Sequence, residues 1–218
     1  MSITKYEMPD GGFESHSPPW PLKNMNPGLE TAFFAPHALS DNAYNHINKL
    51  MAKKWSKGTI SQQNTEEISI RDSDVIFLKN SEPDEQEFWK EIENLVHNVN
   101  NWHFHFDLTA IQTLQLTRYK APKGHYDWHL DDGLGAAPGS AQFQELGPGR
   151  KLSFSILIND PSTYSGGDFE IAGNRLPQEA MKKNTGIFFP SIMGHRVTPV
   201  TKGVRFSLVG WILGPRLK

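Results

Sequence analysis

The chain has 218 residues, 37% hydrophobic and 11% aromatic, with 22 basic and 24 acidic side chains for a net charge of −2. Such a chain can bury a core, which excludes intrinsic disorder, and its near-neutral charge argues against a surface built mainly to hold nucleic acid or anionic lipid. It contains no cysteine, so disulfides, thiolate zinc sites, iron–sulfur clusters and Cys nucleophiles are excluded, and any metal must be held by His, Asp or Glu. No apolar run approaches the roughly 18 residues of a membrane span, and the N-terminal stretch lacks the basic-then-apolar layout of a signal peptide, so a soluble, non-secreted protein is expected.

Residues 1–30 are rich in Pro and Gly, among them Pro9, Gly11, Gly12, Pro18, Pro19 and Pro21, and read as an irregular arm. Residues 31–110 read as a helical supporting region. From Ser40, a natural N-cap, Tyr44, Ile47, Leu50 and Met51 recur at helical spacing. A stronger pattern starts at Ser81, has Asp84 three residues on, and runs through Phe88, Ile92, Leu95, Val96 and Val99 to Asn100-Asn101. The alternation of Trp102, Phe104 and Phe106 with His103, His105 and Asp107 then reads as a half-buried strand.

Residues 111–218 change texture to short apolar or alternating runs between Gly, Pro, Asn and Asp, which predicts a β-region of sandwich or jelly-roll type. Candidate strands are Leu114–Tyr119, Tyr126–Leu130, Leu152–Asn159, Asp168–Ile171, Gly186–Phe189 and Arg205–Ile212. The long connection Gly133–Arg150, full of small residues, reads as a functional loop or lid. Side chains alternate across a strand, so Leu152, Phe154, Ile156 and Ile158 share one face while Ser153, Ser155 and Asn159 share the other with Leu157. Leu114 and Leu116 likewise oppose Gln115, Thr117 and Tyr119. The simplest arrangement packs the apolar faces on the two helices and turns the polar faces into a ligand cavity.

Of nine histidines, His129 lies two residues before Asp131, so imidazole and carboxylate can converge on one ion. His195 follows a strand-like run and could supply a third ligand, completing the two-His, one-carboxylate set of non-haem Fe(II) oxygenases. His125 and Asp127 have the same spacing and parity, and composition does not choose between the pairs. They lie roughly 13 Å from the other pair along an extended strand, so only one pair can hold a given ion. Arg205 sits in an otherwise apolar strand, where a guanidinium needs an anionic partner; a carboxylate-bearing cosubstrate would satisfy it.

These residues resemble the Fe(II)- and 2-oxoglutarate-dependent dioxygenases of the prolyl 4-hydroxylase-like type, including bacterial and phage hydroxylases. The resemblance covers about Leu114 to Ile212 and rests on LQLTRYKAPKGHYDWHLDD, LSFSILINDPSTYSGGDFEI and GIFFPSIMGHRVTPVTKGVRFSLVGWI. The family register runs through Tyr119, Tyr126, His129, Asp131, Gly166-Gly167, His195 and Arg205, and it selects His129 and Asp131 over His125 and Asp127. It implies a mostly β protein with supporting helices and a double-stranded β-helix (jelly-roll, cupin-like) core. His129, Asp131 and His195 would bind Fe(II); Arg205 and Tyr119 would take the distal carboxylate of 2-oxoglutarate; Tyr126 and Trp211 would touch substrate. Thr117, Ser155 and Ser207 share the inward parity. The implied reaction hydroxylates a C–H bond with O₂, releasing succinate and CO₂, with L-ascorbate as auxiliary reductant. The carboxylate ligand Asp131 points to hydroxylation rather than halogenation. The implied substrate is a prolyl residue of a peptide or protein, with a free amino acid or small molecule, or a non-catalytic jelly-roll binding module, as alternatives. The cytoplasm of a bacterium or phage-infected cell is the expected location. Oligomeric state is not legible in the sequence.

Overall fold

A computed structural model of the protein describes residues 32–59, 70–79, 85–132 and 148–215. The N-terminal arm, the helix start expected at Ser81 and most of the Gly133–Arg150 loop lie outside the described residues. In chain order the elements are β1 (Phe33–Pro36), α1 (Asp41–Met51), β2 (Ser56–Lys57), β3 (Arg71–Asp72), β4 (Asp74–Leu78) and α2 (Gln86–Val99). There follow β5 (Ala110–Lys120), β6 (His125–His129), β7 (Gly149–Leu157), β8 (Ser165–Gly166), β9 (Phe169–Ile171), β10 (Asn174–Arg175), β11 (Thr185–Pro190), β12 (His195–Val197), β13 (Val200–Lys202) and β14 (Val204–Gly214).

Ser40 caps α1 as expected: its hydroxyl accepts the Ala43 N–H at 3.2 Å. Glu91 of α2 takes both the Ser40 N–H and O–H at 2.7 Å, which ties the two helices together at the cap. The alternating strand expected across His103–Asp107 does not form. Instead α2 runs on into a π-helical turn, Asn100–Phe104, ended by His105 at φ 54. The Asn100 amide bridges the N–H and C=O of Phe106 at 3.0 and 2.9 Å, and His103 packs on Phe33 and Phe104. This local clamp outweighs the two-residue periodicity.

Two sheets make the jelly-roll core. The larger has order β1-β11-β7-β14-β5-β4-β2 and the smaller β10-β9-β12-β6-β3, with β13-β8 a separate pair. Each of the six predicted strands is present with shifted ends. Strands β1 to β4 lie in the stretch read as helical support and were not expected; they extend both sheets. Among the described residues no helix is long and apolar enough to cross a membrane.

The strand faces divide as their parity predicts. Leu114, Leu116, Leu152, Phe154, Ile156 and Leu208 join Ile47, Leu50, Phe88, Ile92 and Val96 of the helices in one buried cluster, each side chain contributing about 1.5–3 kcal/mol by leaving water. Packing there is tight enough to demand a glycine in β14, since a Cβ on Gly210 would stand 2.4 Å from Phe154 Cε1. On the other face, Gln115, Ser155 and Ser207 line a cavity together with Phe169, His195 and Val197 of the smaller sheet.

Candidate metal and cosubstrate site

Three elements bring the ligand candidates together. β6 ends on His129, and antiparallel pairing sets His195, the first residue of β12, directly opposite it. Asp131 lies just past β6, where the Ser191 carbonyl after β11 accepts its N–H at 3.1 Å and that of Asp132 at 3.0 Å. Ser191 is itself fixed by a 2.8 Å hydroxyl–hydroxyl bond to Ser153 of β7. The result places His129 Nε2 3.7 Å from Asp131 Oδ1 and His195 Nε2 3.5 Å from Asp131 Oδ2. One donor atom from each residue falls within 4.8 Å of the others, the one group of this kind among the described residues.

Both imidazoles are held in the tautomer that a metal requires. His129 Nδ1 lies 2.7 Å from the Asp127 carbonyl and His195 Nδ1 3.0 Å from that of Met193. A carbonyl only accepts, so each Nδ1 carries the proton and each Nε2 keeps its lone pair toward Asp131. Burial, together with the neighbouring His195, pushes the His129 pKa down to about 4 against the pull of Asp131, so the ring is neutral near pH 7. The rival pair is not assembled: His125 Nδ1 turns to the Lys123 carbonyl at 2.7 Å, while Asp127 accepts the Trp128 N–H at 2.8 Å. Nor do His103, His105 and Asp107 form such a group.

The ligands stand at one side of a cavity lined by residues of both sheets. Tyr119, Tyr126 and Trp211 line it, as do Ser155 and Ser207; Thr117 is buried beside it, accepting from Gln115 Nε2 at 2.6 Å. Tyr126 stacks on His129 with ring centroids 3.5 Å apart and planes 14° from parallel. Arg205 is 1% exposed and pairs in register with Tyr119, whose ring centroid lies 5.7 Å from the guanidinium. Its Nη1 donates to Ser207 Oγ at 3.3 Å, while its buried Nε has no partner among the described residues. No carboxylate comes within 4.0 Å of it there either, so a buried cation awaits an anion. Burial raises the Tyr119 and Tyr126 pKa values, partly offset by Arg71, and both phenols therefore stay protonated donors.

Sequence reasoning missed two residues at this site. Arg71 lines the cavity with its guanidinium 4.6 Å from the Tyr126 ring; it arrives on two-residue β3, whose pairing with β6 leaves no periodic signal. Arg150 stacks over Trp211 at 4.4 Å and donates to the Asp131 carbonyl at 3.2 Å. Gln115, by contrast, lines the cavity as the parity it shares with Thr117 and Tyr119 predicts.

Residues 114–213 match the 2OG-Fe(II) oxygenase superfamily. This stretch is a 2OG-Fe(II) oxygenase domain. Curated relatives of the domain include a PKHD-type hydroxylase of Picosynechococcus sp., 35% identical over 104 residues, which are 47% of this chain and 42% of the relative. Another, from Hyphomonas neptunium, is 44% identical over 63 residues, 28% of each chain. The chain thus spans less than half the length of these relatives. Among solved structures, a Pseudomonas putida prolyl-4-hydroxylase superposes with a TM-score of 0.60 at 16% identity, covering 86% of this chain and 94% of that one. A viral collagen prolyl hydroxylase from Paramecium Bursaria Chlorella virus-1, in complex with 2OG, gives a TM-score of 0.60 at 18% identity, covering 85% and 97%. The oxygenase fold is therefore shared, and the family's cofactors are Fe(II) and 2-oxoglutarate. The residues fit both: two imidazoles and a carboxylate suit Fe(II), and the orphaned Arg205 Nε suits a carboxylate.

Proposed function

We propose that the protein is an Fe(II)- and 2-oxoglutarate-dependent hydroxylase in which His129, Asp131 and His195 hold the metal and Arg205 and Tyr119 receive the distal carboxylate of 2-oxoglutarate. The observation that carries this reading is one cavity with the His–Asp–His donor set on its wall and, beside it, a buried guanidinium that meets no carboxylate among the described residues. Bound Fe(II) supplies the centre at which O₂ and 2-oxoglutarate are consumed, one oxygen atom passing to a substrate C–H bond and the other into succinate as CO₂ leaves. The chain's own residues do the positioning. The Asp127 and Met193 carbonyls fix the two imidazoles, Arg205 sets the reach of the cosubstrate, and Ser155, Ser207 and Gln115 give the cavity its polar wall. Tyr126 and Trp211 stand at that cavity as substrate contacts.

The substrate in this reading is a prolyl residue of a peptide or protein. Its support is fold-level analogy to the prolyl hydroxylase structures, one of which holds a hypoxia inducible factor peptide fragment. L-Ascorbate serves as auxiliary reductant. Residues 31–110 act as support for a catalytic unit spanning 111–218, and the absence of cysteine accords with the cytoplasm of a bacterium or phage-infected cell. Anaerobic addition of Fe(II) and 2-oxoglutarate tests the core of this reading: a visible charge-transfer band and succinate on aeration are expected, and the loss of both from folded protein would refute it. A screen of proline-bearing peptides against free amino acids, scored by gain of one oxygen in mass, tests the substrate; hydroxylation of a free amino acid alone would replace the peptide.

A further inference from the structure

We infer that the Tyr164 hydroxyl is a third donor, beside Arg205 and Tyr119, to the distal carboxylate of the cosubstrate, and that it sets the preference of the site for dicarboxylate over monocarboxylate 2-oxo acids. The inference rests on the 2-oxoglutarate reading above.

Tyr164 follows the 3-10 turn Pro161–Thr163 and is 8% exposed. Its hydroxyl is buried beside the Arg205 guanidinium with no acceptor for its own proton among the described residues, and Arg205 Nε is likewise buried without a partner there. A buried unpaired polar group costs about 1–3 kcal/mol, so two of them side by side call for a common explanation. They are side by side because both pack on one glycine: a Cβ on Gly167, at φ +66, would meet Arg205 Cδ at 3.0 Å and Tyr164 Cε2 at 3.4 Å. Gly203, at φ +71, closes the opposite side, where a Cβ would lie 3.1 Å from Tyr164 Cα and 3.2 Å from its Cβ. Both glycines adopt backbone conformations that L side chains rarely take, and a side chain at either would crowd Tyr164.

The chemistry of the two groups points to one ligand class. Burial pushes the Tyr164 pKa up while the charge of Arg205 and its side-chain hydrogen bond draw it down, so the phenol is a protonated donor beside the guanidinium. Arginine only donates, and a phenol oxygen that accepts from it still has its own proton to place. A carboxylate has lone pairs enough for the fork of Arg205 and the hydroxyls of Tyr119 and Tyr164 together.

The test uses the full chain loaded with Mn(II) and titrated calorimetrically with 2-oxoglutarate and with 2-oxopentanoate, which has the same carbon skeleton and no distal carboxylate. Tyr164→Phe is expected to weaken 2-oxoglutarate about tenfold, the size of one hydrogen bond to a charged group, and to leave 2-oxopentanoate within about twofold. Unchanged 2-oxoglutarate affinity, or equal weakening of both ligands, overturns the inference; the second result would make the phenol a packing residue. Thermal unfolding of the ligand-free variant checks its fold, and Tyr164→Met repeats the measurement if the Phe variant is unstable. Failure of the wild-type protein to prefer 2-oxoglutarate over 2-oxopentanoate would instead remove the cosubstrate reading, and this inference with it.

Discussion

The two faces of β5, β7 and β14 are made by alternate residues of the same strands, and they obey opposite rules. Toward the helices, Leu116, Phe154, Ile156 and Leu208 are wholly or almost wholly buried among other hydrocarbon, and Phe154 and Phe188 lie with ring centroids 5.4 Å apart. Toward the smaller sheet, Gln115, Ser155, Arg205 and Ser207 are equally buried but polar. The first face is spent on stability. The second buries a cation with no carboxylate against it among the described residues, a cost that a bound anion offsets. Burial alone therefore says little about what a residue is for; the chemistry of its neighbours does.

Substitutions on the two faces should fail in different ways. The largest effect is expected at the metal wall: Asp131→Ala should lower the charge-transfer band and succinate formation to background, whereas His125→Ala, four residues from His129, should leave both, as read by anaerobic absorption and turnover assays. On the helix side, Phe154→Ala should cost about 3–5 kcal/mol of unfolding free energy in denaturant titrations, through lost transfer energy and the cavity left behind. Arg205→Met sharpens the contrast. It should weaken 2-oxoglutarate on the order of 10²-fold by calorimetry, while the ligand-free variant melts no lower than wild type, because removing an unpaired buried charge relieves its desolvation cost. A clear fall in its melting temperature would mean that Arg205 contributes to the core.

The smallest effect lies away from both faces, at Asp74 of β4. Its burial works to raise the carboxyl pKa, but hydrogen bonds from Lys120 at 2.7 Å and Arg118 at 2.8 Å, with the charge of Lys57, outweigh this and hold it at about 2. A carboxylate whose folded pKa lies below its unfolded value near 3.8 contributes stability that is complete above that value and is lost as pH falls toward 2. Asp74→Asn should therefore flatten the acid limb of the stability curve between about pH 4 and 2, measured by denaturation across that range, with little change in cosubstrate binding.

Much of this was legible in one dimension. The caps and spacing of α1, six of the strands, the polar and apolar faces, and the candidate set His129, Asp131, His195 and Arg205 follow from periodicities that act within a few residues. The two-residue spacing of His125 and Asp127 was as good as that of His129 and Asp131 in these terms. What separates them is the antiparallel register that sets His195 against His129, together with the Ser191 carbonyl that draws Asp131 back toward both. The π-turn after α2 escaped because a single Asn100 amide, bonded to Phe106 on both sides, overrode an apparent strand pattern.

Which residues could be buried, and which of those carried donor or acceptor atoms, was determined by the sequence itself, since side-chain alternation is a property of the extended backbone. Which of them meet was decided only in three dimensions. Arg71 comes to Tyr126, Arg150 to Asp131 and Tyr164 to Arg205 across separations that no local period spans, because strand pairing and close packing, rather than neighbouring residues, determine those distances.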